Sequence, residues 1–148
     1  MSDFFYLIWR FILASMGWLA AVIAAAVVLT TLLFAAGNHG PADQGAVETI
    51  LQVSLATTPF TVFYVATGTF IPSLFIIVWA EFASRRDWLF YSLAGLLMGV
   101  GIVGYQLFYN AQAGSSDYVL FSATAAAAGI IAGSVYWLIA GRSAGPRR

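Results

Sequence analysis

The sequence predicts an all-α integral membrane protein, with four transmembrane helices in a compact bundle and both termini on the cytoplasmic side. Three observations lead there. Apolar residue types make up 61% of the 148 residues and charged ones only 8%, whereas a soluble domain carries roughly a quarter charged residues. Four long apolar runs punctuate the chain. All six cations fall on one side of the resulting topology.

The first run, Phe11 to Ala36, carries no charge and ends at Gly37, a plausible C-cap. Its 26 residues would extend about 39 Å as a helix, beyond the ~30 Å of a bilayer core. A cleaved signal peptide has an apolar stretch of about 7–15 residues behind a basic start. Ala35-Ala36-Gly37 resembles a cleavage site, but this run is too long and Arg10 is offset by Asp3.

The second run is expected from Pro59 to Glu81, because Thr58-Pro59 places an N-cap residue before a proline at the first helical position. Asp87 is the expected N-cap of the third, Trp88 to Tyr109. Ser115, Ser116 and Asp117 offer caps for the fourth, Tyr118 to Ala140, which Gly141 closes. No second domain and no internal repeat is evident, so residues 1–148 are read as one domain.

Orientation rests on the arginines. Arg10 precedes the first span, Arg85 and Arg86 separate the second and third, and Arg142, Arg147 and Arg148 follow the fourth. The other two loops hold only Asp43, Glu48 and Asp117 as charged residues. Cytoplasmic loops carry the excess of Lys and Arg, so N-in/C-in in a cell inner membrane is expected. The absence of lysine beside abundant Ala and Gly suggests a GC-rich bacterial genome.

The outer loop, Gly37 to Thr58, begins as a turn-rich segment. From Ala46, Val47, Ile50, Leu51 and Leu55 share a helical face, opposite Glu48, Thr49 and Gln52. This pattern favours a short amphipathic helix on the outer interface over residues 46–58, with a bend at Pro59. An N-terminal extension of the second span is the alternative.

Several chemistries are excluded or weakened. Six carboxylates balance six arginines, so no nucleic-acid partner is expected. Without cysteine there is no disulfide or thiolate site, and one histidine cannot supply two axial haem ligands. No cofactor or metal is expected, since His39, Asp43 and Glu48 match no ligand spacing. Neither Ser54 nor Ser116 has a motif-defined base, so no nucleophile is assigned. Small multidrug exporters normally carry a carboxylate in the first span, and this first span has none.

What the helices offer is small residues for close packing, which lipid-immersed helices need because lipid gives them no hydrophobic drive to associate. Seams run along Gly17, Ala21, Ala24, Val28, Thr31 and Ala35 in the first span, and along Ser92, Gly95 and Gly99 in the third. The fourth has Ser122, Ala126, Gly129, Gly133 and Ala140. Gly95, Gly99, Gly129 and Gly133 are therefore candidates for helix packing or partner docking. Gly101 and Gly104 lie on the far side of the third helix, which suggests a central position for it.

The second helix is the most polar, with Thr57, Thr61, Tyr64, Gly68 and Pro72 on one stripe. Thr57, Thr61, Tyr64 and Gln106, the one amide well inside a span, are candidates for a polar path. Arg10 is read as snorkelling and Glu81 as pairing with Arg85, four residues on. Trp9, Trp79, Trp88, Tyr109, Tyr118 and Trp137 fall near span ends as interfacial rings, and deeper Trp18 as a packing residue.

The leading functional expectation is a small non-enzymatic membrane protein, an accessory or scaffold subunit partnered by another membrane protein or by copies of itself. The alternative is a homo-oligomeric transporter, channel or flippase-like protein with the second helix lining its path.

Overall fold

A computed structural model describes residues 2–37, 44–83, 86–109 and 116–143. These are almost entirely helical, in the order α1 (Ser2–Gly37), α2 (Gln44–Phe82), α3 (Trp88–Tyr109), α4 (Ser116–Ile139) and the single turn η1 (Gly141–Ser143). All four long helices are long and apolar enough to cross a membrane. The chain has the form of a multi-pass membrane protein.

α3 has the expected limits, opening directly after Asp87. α1 starts much earlier than Phe11. Arg10 need not end it, because its guanidinium pairs with the Glu81 carboxylate of α2.

α2 departs most from expectation: it is one 39-residue helix, and Pro59 lies inside it rather than at its start. The separate interfacial helix over 46–58 is thus replaced by an extension of the second span. Proline removes one intrahelical bond and crowds the carbonyl four residues back. Around that defect the Thr57 hydroxyl donates to the Val53 carbonyl (2.9 Å) and Thr58 to Ser54 (2.7 Å). Thr58 also meets Thr30 of α1 at 3.3 Å, which ties the proline turn to a neighbouring helix.

The helices pack in the order α2–α1–α4–α3. The α3–α4 and α1–α4 contacts are the most extensive, α2 lies chiefly against α1, and α2 and α3 scarcely touch. This arrangement differs from a closed, compact bundle and puts α1 and α4, rather than α3, at the centre.

The α3–α4 contact is backbone against backbone. A Cβ at Gly95 would collide with the Gly129 carbonyl, and one at Gly129 with the Gly95 carbonyl. A Cβ at Gly99 would strike the Ala125 carbonyl, and one at Gly133 the Tyr91 carbonyl. Side-chain bonds flank this seam: Trp88 Nε1 donates to Ser134 Oγ (3.0 Å), Ser92 and Ser134 hydroxyls meet at 3.2 Å, and Trp137 Nε1 donates to the Arg86 carbonyl (2.7 Å).

On α1 the buried positions are Gly17, Ala21, Val22, Ala25, Ala26 and Thr30. The predicted seam holds at Gly17 and Ala21 but then turns away from Ala24, Val28, Thr31 and Ala35. α1 packs against α4 and α2 together, so its covered stripe is wider than one seam. Gly17 receives Tyr136 and Ala140 of α4.

Replacing Gly129 with Leu should cost at least the ~1–3 kcal/mol typical of overpacking, because rigid backbone cannot yield to it. Thermal unfolding in mild detergent should show the loss, with Gly68→Leu, where a Cβ meets nothing within 4 Å, close to wild type.

Candidate functional site

The separation of α2 from α3 leaves a cleft of about 1190 Å³, floored by α1 and α4 and walled by α2 and α3. Its walls carry Tyr64, Gly68, Phe75 and Trp79 on one side and Phe90, Ala94, Leu97 and Gly101 on the other. All of these lie within the four apolar spans.

Polar groups mark its two ends. At one end Gln106 Nε2 donates to Tyr64 Oη across the gap, at 2.5 Å. These are the two predicted path residues that the structure brings together, and a long side chain from each helix is needed to bridge them. At the other end Ala80 of α2 joins a buried cluster with Ala21, Tyr91, Tyr136 and Ala140. The Tyr91 and Tyr136 rings lie 5.4 Å apart, and the Arg10–Glu81 pair is formed from the residue next to Ala80.

Between those ends the wall hydroxyls are turned inward. Thr67 donates to Phe63, Thr69 to Val65 and Ser73 to Phe70, all in their own helix. Thr57 and Thr61 do the same, donating to Val53 and Thr57 respectively, and neither lines the cleft. Such back-bonding satisfies a hydroxyl that has no water to reach. Trp18 packs edge-on against Phe70, with ring centres 5.6 Å apart, and lies on the cleft floor.

Gly95, Gly99, Gly129 and Gly133 are the contact between α3 and α4, and each also borders the cleft. Gly101 and Gly104 lie open on α3, with nothing within 4 Å of an added Cβ.

Glu81 pairs with Arg10 of α1, 71 residues away, and the expected pairing with Arg85 falls outside the described residues. Arg10 is largely covered, its side chain 12% exposed, and is held between α1 and α2 by the Glu81 carboxylate. No periodicity pointed to this pair; only the level of the two charges on antiparallel helices could have.

His39 and Asp43 also lie outside the described residues. Glu48 is exposed and accepts from Gln52 Nε2 at 3.3 Å. Among the described residues no three His, Cys, Asp or Glu side chains gather as metal ligands. Ser54 Oγ is buried without a hydrogen-bond partner, and no base stands near enough to bond it.

No protein-family model matches the chain, and no curated protein or solved structure gives a significant match. The class that the geometry defines is therefore a multi-pass membrane protein with an intramembrane apolar cleft.

Gln106→Leu and Tyr64→Phe should each cost about 1 kcal/mol or less and be non-additive, since both delete one interhelical bond. Spin labels near the ends of α2 and α3 should report a widened separation in either variant. Arg10 is largely covered but the Glu81 side chain is 38% exposed, so the pair is partly screened and its coupling should be on the order of 1 kcal/mol. A double-mutant cycle with Arg10→Gln and Glu81→Gln, followed by thermal unfolding, measures it.

Proposed function

We propose that the protein is a small non-enzymatic membrane protein that serves as an accessory or scaffold subunit of a larger membrane assembly. The observation carrying this reading is the open glycine Gly104 on α3, outside the cleft. Glycine inside a helix costs about 0.5–1 kcal/mol relative to alanine. Gly95 and Gly99 offset that cost by meeting α4, whereas Gly101 and Gly104 meet nothing in this chain. Gly104 lies between Val100 and Phe108, one turn to either side, which are 43% and 85% exposed and do not line the cleft. A dent flanked by large apolar side chains suits close approach of a helix from another chain.

The arginine distribution supports a cytoplasmic placement of both termini in a bacterial inner membrane. A solute path along α2 has less support. The hydroxyls of Thr57 and Thr61 are spent on their own backbone, and Tyr64 and Gln106 bond each other.

Gly104→Leu should leave the fold intact and release a stoichiometric partner, or dissolve a homo-oligomer, when the protein is purified in lipid nanodiscs and its native mass is measured. A wild-type protein that is monomeric and partner-free in its native membrane extract would overturn the reading.

A further inference from the structure

The geometry points to a second, independent role for the space between α2 and α3: a binding site for one hydrocarbon tail of a membrane glycerophospholipid. It does not rest on the partner reading, which concerns the outward face of α3 at Gly104.

Four observations select this occupant. First, the walls belong to membrane-spanning segments of all four helices, so hydrocarbon rather than water borders the mouth. Second, at about 1190 Å³ the cleft is open along its mouth and exceeds the ~300–1,000 Å³ of typical ligand pockets, so a long flexible chain fits in it.

Third, the wall hydroxyls of Thr67, Thr69 and Ser73 are bonded to their own helix. The middle of the cleft therefore offers a guest only apolar surface, which disfavours a polar solute or an ion.

Fourth, the Gln106–Tyr64 bond crosses directly from α3 to α2. A helix is about 10–12 Å across with its side chains. None can lie along the cleft past that bond, whether from a second copy or a foreign partner, without breaking it. A flexible single chain can end beneath it.

The same bond limits length. From Tyr64 to Trp79 is 15 residues of helix, about 22 Å at ~1.5 Å per residue. That accommodates a tail whose task is to cross half of a ~30 Å core. It is too short for a long polyprenyl chain. The tail would enter sideways between the two walls, with its head group toward the end bearing Arg10 and Glu81.

The test places a photoreactive residue at Leu97, on the cleft wall, and in a separate variant at Phe60, which is 79% exposed and does not line it. Full-length protein in nanodiscs of native lipid extract is irradiated, and the adducts are weighed. Parallel samples are washed in detergent and their retained lipid counted by native mass measurement.

The site predicts a phospholipid adduct at Leu97 that survives washing before irradiation, and an adduct at Phe60 that does not. Gly68→Trp should fill the cleft and lower retained lipid at least fivefold, while Gly68→Ala retains it. Ala94→Phe, from the opposite wall, should repeat the loss.

A protein or polyisoprenoid adduct at Leu97 overturns the assignment. So does retention by folded Gly68→Trp equal to wild type, or a washed wild type holding no lipid. Release of a partner by Gly104→Leu bears on none of these readouts, so the two readings can fail separately.

Discussion

Everything in this fold is arranged around the one place where two backbones touch. Water gives a soluble protein a reason to collapse; hydrocarbon does not, so helices in a bilayer associate through dispersion, hydrogen bonds and close approach. Gly95 and Gly99 on α3 and Gly129 and Gly133 on α4 remove the side chains that would hold the axes apart. Dispersion falls steeply with separation, so the closest contact attracts the remaining ones. The Trp88–Ser134 and Ser92–Ser134 bonds can form only because those carbonyls and α-carbons already meet. α4, pinned to α3, then presents Tyr136 and Ala140 to Gly17, and α1 is seated by a second small residue.

α2 is held by different means, and this explains the cleft. Its side-chain links to α1 include a hydroxyl pair, a ring contact and an ion pair, at Thr30–Thr58, Trp18–Phe70 and Arg10–Glu81. Each joins long or polar side chains rather than backbones. Toward α3 it offers Tyr64, Phe75 and Trp79, rings that keep two helices apart, and the opposite wall answers with Leu97 and Tyr105. A side-chain bond from Gln106 to Tyr64 spans the gap that results. Small residues close one side of the molecule and large ones keep the other open.

That contrast separates what was legible in the sequence from what was not. Helix number and the limits of α3 follow from hydropathy and caps, which are local properties. Glycines four apart are local as well, and their mutual contact on α3 and α4 follows from adjacency in the chain. The continuation of α2 through Pro59 was not legible by those rules. A Thr-Pro step reads as a start signal, and only the tie from Thr58 to Thr30 on another helix supports a helix running through it. The pairing of Arg10 with Glu81 was hidden for the same reason, since it depends on the register of α1 against α2 rather than on spacing along either. The stripe Thr57, Thr61 and Tyr64 looked like a polar path because a sequence shows hydroxyls but not where they donate.

The open cleft and the open glycine on its wall then have one physical origin. The backbone-to-backbone seam joins α3 to α4, and a glycine that receives side chains of α4 seats α1, leaving α2 attached but not closed. Gly101 lies open on the cleft wall because α2 stands off from α3, and Gly104 lies outside the cleft with nothing within 4 Å of an added Cβ. The proposed contact from outside the chain would offset the conformational cost of Gly104. The cleft is too apolar for water and blocked to a helix by Gln106. The contrast that builds the core thus also leaves two surfaces of different shape, a cleft for the proposed lipid tail and an outer face of α3 for the proposed neighbouring helix.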